Sequence, residues 1–250
     1  MSSKGFGRIV LTLTVLAALA GCGASSGSTG LLLPTTSQSV EAPPQVPEIS
    51  ALSITPNPSG AAPQSALLEF TTSLPATPVR TVISNGYSQQ LREGPPSTSH
   101  SVPIVGFLPD TTHQVVVVLR TTDGREFATP PRTFVSPPLP DLFPPFKVVQ
   151  RKASGLEPGF ILLSAFGWNE TLNTANVAPI CIIIDSEGRV VWYLETDLAA
   201  TSIEMLPSGN LLILSTPYQI FEVDMLGNRI DGWAATNLAG PVDGYRSVSV

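Results

Sequence analysis

Along residues 49–136 the chain alternates apolar and polar positions in short runs, each closed by Pro, Gly, Asn or Asp. The runs at 51–55, 66–71, 78–84, 101–105, 113–121 and 126–135 carry the period-two alternation and β-branched content of strands. Their spacing of about ten residues predicts an all-β sandwich. Pro56-Asn57-Pro58 ends the first strand, and Asp123-Gly124 closes a hairpin because that pair tolerates positive φ. A proline-dense linker and connecting stretch follows over 137–158. Beyond it, residues 159–166, 180–185 and 189–194 read as three strands, and 202–206, Leu211–Ser215, 219–224 and 229–233 as four more.

The two later groups are related. Ile184-Asp185-Ser186-Glu187-Gly188-Arg189-Val190-Val191-Trp192 matches Val223-Asp224-Met225-Leu226-Gly227-Asn228-Arg229-Ile230 followed by Trp233, and both the Asp and the Gly pairs are 39 residues apart. A strand, an Asp-x-x-Gly turn and a second strand at that period is the pattern of a β-propeller blade. In it Asp185 and Asp224 form turns, and the Trp and Val residues pack between blades, with Trp168 or Trp233 as the less expected ligand contacts. Pro207-Ser208-Gly209-Asn210 makes an earlier turn of the second blade, with Gly at the positive-φ position. A propeller needs at least four blades of about 40 residues. Residues 159–250 supply about two, so the expected fold is a sandwich followed by a truncated propeller, the N-terminal part of a longer protein. An open blade edge is then expected to expose apolar strands such as Leu211-Leu212-Ile213-Leu214.

Composition narrows the function classes. Charged residues are 13% of the chain, with 20 Gly and 25 Pro, a proline frequency that would interrupt long helices. The net charge is −6, and the lysines are Lys4, Lys147 and Lys152, which excludes nucleic-acid binding through phosphate contacts. No Gly-x-x-x-x-Gly-Lys-Ser/Thr loop, metal-ligand spacing or Gly-x-Ser-x-Gly elbow occurs, so no cofactor, metal or catalytic residue is assigned.

Residues 1–21 have the form of a secretory signal: Lys4 and Arg8, an apolar run from Ile9 to Ala20, then small residues. That run is too short to span a bilayer, which takes roughly 20 residues. Leu19-Ala20-Gly21-Cys22 is a bacterial lipobox, making Cys22 the expected lipidation site and an N-terminal anchor the link to the membrane. Gly23, in place of Asp, points to the outer membrane, facing the periplasm or the cell surface. Residues 22–48 are Ser, Thr, Gly and Pro-rich and read as a flexible tether. Cys181, inside Ile180-Cys181-Ile182-Ile183-Ile184, reads as a small buried hydrophobe rather than a reactive thiol.

The run Leu108-Pro109-Asp110-Thr111-Thr112-His113-Gln114-Val115 resembles the fibronectin type III corner, Leu-x-Pro-x-Thr-x-Tyr-x-Val, with His113 in place of the corner Tyr. That assigns His113 a structural bond to a nearby backbone carbonyl. His100, within Ser97-Thr98-Ser99-His100-Ser101, reads as solvated in a polar loop.

The order of sandwich, Pro-rich join and blades, with Gly188-Arg189-Val190-Val191-Trp192-Tyr193 and Leu206-Pro207-Ser208-Gly209-Asn210-Leu211-Leu212, resembles the bacterial aryl-sulfate sulfotransferases that do not use phosphoadenosine phosphosulfate. The resemblance implies a six-bladed propeller that moves a sulfuryl group from a phenolic sulfate ester to a second phenol, through a histidine in the central channel. None of the family's catalytic positions maps onto this chain, whose two histidines both precede the blades. A surface binding or scaffold lipoprotein, and a relative of the quinone-cofactor dehydrogenases, whose blade repeat Ile184-Asp185-x-x-Gly188-x-Val190-Val191-Trp192 also resembles, are the alternative readings.

Overall fold

The computed structural model describes residues 46–141, 143, 149, 159–165, 179–196, 199–215, 219–235 and 246–248; the predicted signal, Cys22 and Trp168 lie outside them. The described residues are all-β, in fifteen strands.

Seven strands form the sandwich: β1 (Ile49–Pro56), β2 (Ser65–Ile83), β3 (Ser88–Gln90), β4 (Ser97–Val105), β5 (Thr112–Thr121), β6 (Glu126–Ala128) and β7 (Arg132–Val135). The expected strands at 66–71 and 78–84 are one continuous element, β2. Its first half pairs with β1 and β4, and its second half with β3 and β5. The switch falls in a register shift between Thr71 and Ala76, so Pro75 sits where no ladder bond needs its missing N–H. The run expected at 126–135 is instead two strands, since Pro130-Pro131 breaks it, and both pieces pair with β5. Between the layers lies an apolar core that includes Leu68, Phe70, Ile104, Val117, Leu119 and Phe134, with Phe107 stacked on Phe134 at 4.0 Å between ring centres.

Both histidines belong to this sandwich. His113 is fully buried, and its Nε2 lies 3.1 Å from the Leu108 carbonyl oxygen, the corner bond its position implied. His100 corrects the loop reading: it lies on β4, is 6% exposed, stacks on Phe70 at 4.7 Å and bonds the Thr72 hydroxyl at 3.1 Å. Ser99 and Ser101 point outward while His100, Val102 and Ile104 point inward, so the strand's alternation carries the imidazole into the interior. Burial lowers the His100 pKa from 6.5. An unfolded chain therefore binds a proton at His100 more readily than the folded one, and stability falls as pH drops below about 6.5. Denaturant midpoints measured against pH should show that acid slope in the wild type and a shallower one in His100→Gln.

The remaining strands form two sheets. β8 (Ile161–Ala165), β9 (Ile180–Ile184) and β10 (Val190–Glu195) are antiparallel in the order β10-β9-β8. β11 (Ala200–Met205), β12 (Leu211–Ser215), β13 (Gln219–Val223) and β14 (Arg229–Ala235) form an antiparallel meander. β15 (Arg246–Val248), which the pattern did not predict, adds to it in parallel beside β14.

The unbroken apolar run of β9 follows from burial on both faces. Cys181 and Ile183 pack with Leu211, Ile213, Phe221 and Val223 between the two sheets. Ile180 and Ile182 pack on the opposite face with Val190, Tyr193, Leu139 and Phe143, so part of the stretch read as a linker covers the first blade. The second sheet corrects the exposed-edge expectation. β12 is an interior strand between β11 and β13, and Leu211 and Ile213 are fully buried, leaving Leu214 outward at 39% exposure. The run Leu211-Leu212-Ile213-Leu214 looks uniformly apolar, but its alternate side chains have different surroundings.

Candidate functional site

The functional interest of the described residues concentrates where the sandwich meets the first blade. Asp185 ends β9 and builds the turn its sequence foretold: Oδ1 accepts the backbone N–H groups of Glu187 at 2.8 Å and Arg189 at 2.9 Å, and Gly188 turns the chain at φ 75°. Asp224 repeats the design, its Oδ1 accepting from the N–H groups of Leu226 and Asn228 at 2.9 Å. The two turns differ in what takes the second carboxylate oxygen. At Asp224 it is the Asn228 side-chain amide, at 2.9 Å. At Asp185 it accepts from Arg189 Nε at 2.7 Å and from the hydroxyl of Tyr87, a sandwich residue.

Tyr87 is held for this role by its own turn. Its N–H donates to Asn85 Oδ1 at 3.1 Å, and the Asn85 amide donates to the Gly106 carbonyl at 2.9 Å. Arg189 closes the cluster by donating to the Tyr87 oxygen at 3.1 Å. Burial, then donation to Asp185, push the Tyr87 hydroxyl up to about 12. Burial opposes ionisation of Asp185, but the Tyr87 hydroxyl, Arg189 and the turn N–H groups outweigh it and hold the carboxyl below its usual range. Tyr87 thus remains a protonated donor and Asp185 a charged acceptor across the neutral range. The arrangement clamps two elements together and has no group poised to accept a proton near neutrality.

Further contacts extend the junction. Ser59 Oγ donates to the Leu226 carbonyl at 2.5 Å, and the Glu195 N–H donates to the Ala61 carbonyl at 3.0 Å. Trp192, 1% exposed, donates its indole N–H to the Met225 carbonyl at 2.8 Å, joining the two blades. Ala62, Tyr87, Val105 and Leu108 of the sandwich share the apolar cluster of Trp192 and Leu211. Beside Tyr87 and Trp192 lies a cavity of about 300 Å³.

The residues singled out from sequence are placed unevenly. Cys22 and Trp168 lie outside the described residues. Cys181 is fully buried, and burial pushes its thiol up to about 12, which removes it as a thiolate nucleophile. Trp233 is half-buried on β14, opposite Ile220 of β13. Neither histidine reaches the junction cluster; each is occupied within the sandwich. Tyr87 went unmarked because nothing in its local sequence points to a partner 98 residues away.

Among the described residues no group of His, Cys, Asp and Glu has the arrangement of a metal site, and no helix is long and apolar enough to cross a membrane. No curated protein matches the chain. Two family models do: the arylsulfotransferase Ig-like domain over residues 53–133, which covers most of the sandwich, and arylsulfotransferase (ASST) over residues 146–237, which covers both blade sheets up to β14. With both models met in order along one chain, the protein belongs to the arylsulfotransferase family.

Proposed function

We propose that this chain is the sandwich and first-blade scaffold of an exported, lipid-anchored aryl-sulfate sulfotransferase, and that it does not itself carry the nucleophile. The observation behind this is the state of the two histidines. A neutral imidazole that attacks the sulfur of an aryl sulfate must present a free nitrogen lone pair to solvent or channel. His100 and His113 are both buried in the sandwich, on Thr72 and on Leu108 respectively. In the reaction the family implies, an S–N bond forms as the S–O bond to the phenol breaks and the phenolate leaves. A second phenol then attacks sulfur as the S–N bond breaks, which restores the imidazole, and that phenol's proton passes to the phenolate released in the first step. Such a step needs a histidine in a closed ring with donors set around the developing charge. Residues 159–235 contribute blade walls and turns to that ring.

The test is transfer from an aryl sulfate ester to phenol. The 250-residue chain alone is expected to give no transfer above the uncatalysed rate, and a protein extended through the downstream reading frame is expected to give it. Failure of the extended protein would overturn the enzyme reading. The anchor is tested separately: radiolabelled palmitate should enter the wild type and not Cys22→Ser, and equal labelling of both would remove the anchor from this proposal.

A further inference from the structure

We propose that residues 136–141 and 143 form a stiff strap, rooted in the sandwich, that seals the outer face of the first blade and so keeps a second copy of this chain from docking there through its own second blade. The root is the sandwich corner. The Ser136 N–H donates to the Thr111 carbonyl at 3.0 Å, the Asp110 N–H to the Pro137 carbonyl at 3.1 Å, and the Ser136 hydroxyl to the Leu108 carbonyl. Pro137, Pro138 and Pro140 then restrict the backbone, so the segment leaves the corner as an arm rather than a loose linker. The Phe143 N–H donates to the Pro140 carbonyl at 2.8 Å, which turns the chain onto the blade. There Phe143 meets Tyr193 edge-on, with 5.2 Å between ring centres, and Leu139 joins it over the cluster of Ile180, Ile182 and Val190. The cover is close: Ile182 is fully buried and Tyr193 is 2% exposed.

The occupant that the strap excludes follows from how the chain's own sheets meet. On its inner face the first blade packs Cys181 and Ile183 against Leu211, Ile213, Phe221 and Val223 of the second, apolar sheet on apolar sheet. The second blade's other face is open. Leu214, Ile220 and Trp233 stand directly opposite one another across β12, β13 and β14, with Leu214 39% and Ile220 37% exposed. In the adjacent row, Glu222 and Asp231 already accept from Asn210 and Arg246, so a sheet laid on this face need not bring cations. Among the described residues, each copy thus carries one covered and one open blade face. Contact between the open face of one copy and the first blade of the next is head-to-tail, and repeats along an open series unless its rotation closes a ring. The strap blocks that series at its first contact. The inference rests on the packing of the sheets and stands apart from the sulfuryl-transfer proposal.

The test uses the full 250-residue chain, made in a cell-free system so that no lipid is attached, and sedimentation velocity over a range of concentrations. All variants share the N-terminal segment, so differences among them report the blade faces. Leu139→Ser combined with Phe143→Ser is expected to unfold cooperatively and to sediment as species of about two, three and more times the wild-type mass. Phe143→Ala alone should show the same shift at higher concentration, and carries the test if the double variant does not fold. Adding Leu214→Lys and Ile220→Lys to the strap variant should return it to the wild-type mass. Mixed with wild type, that quadruple variant should form a one-to-one complex, because it offers the uncovered first blade and wild type the open second blade. A folded strap variant of unchanged mass, a wild type that assembles as far as the strap variant, growth that survives the two lysines, or a mixture that forms no complex would each overturn the proposal.

Discussion

Trp192→Ala is expected to lower stability by about 3–5 kcal/mol, the usual cost of deleting a large buried aromatic side chain. The indole is among the largest fully buried side chains, sits among Leu194, Leu211 and Ile213 between the two blade sheets, and closes a bond to Met225 in the second blade. Its removal leaves a cavity and an unpaired carbonyl together. Against total stabilities of about 5–15 kcal/mol, such a loss would be visible as a large drop in denaturant midpoint. Trp192→Phe should recover most of the packing but not the bond to Met225, and so fall between the two. A loss below about 1 kcal/mol in the alanine variant would mean that the blades are not joined through this residue.

The second large effect is expected at Gly227, in the Asp224 turn. Its φ of 88° already disfavours any side chain, at about 1–2 kcal/mol. A Cβ there would also stand 2.7 Å from Ser59 Oγ, 3.1 Å from Leu194 Cδ1 and 3.3 Å from Ala61 Cβ. Ser59 cannot swing aside without giving up its bonds to Leu226 and Ala61, and Ala61 has no torsion to move. Overpacking of about 1–3 kcal/mol therefore adds to the backbone strain in Gly227→Ala. Gly209 has the same φ of 88° in the same sheet, with nothing within 4 Å of where a Cβ would stand. Gly209→Ala should show the strain alone, so the difference between the two variants, read from their unfolding midpoints, measures the contact between the sandwich and the second blade.

These contacts also mark where the sequence stopped being informative. Both Asp-x-x-Gly turns, the alternation of β13 and the His113 corner could be read locally, because each depends on residues within a few positions of one another. His100 was within reach as well: the alternation that buries Val102 and Ile104 extends back to it, but the surrounding serines and threonine gave that segment the look of a loop. The path of β2 from one layer to the other was not legible, because Pro75 carries the same signal at a sheet-to-sheet bend as at a strand end. Nor was the Tyr87 clamp. Asp185 and Asp224 have equivalent local sequences, and only the tertiary approach of the sandwich gives one of them a tyrosine.

On the reading proposed above, both histidines of this chain hold the sandwich together and neither takes up a sulfuryl group. Intact-mass analysis of the 250-residue protein, after incubation with an excess of nitrophenyl sulfate at neutral pH, tests it most directly. The predicted result is an unchanged mass, with nitrophenolate released no faster than in the protein-free blank. A mass gain of one sulfuryl group, mapped to His100 or His113, would contradict it.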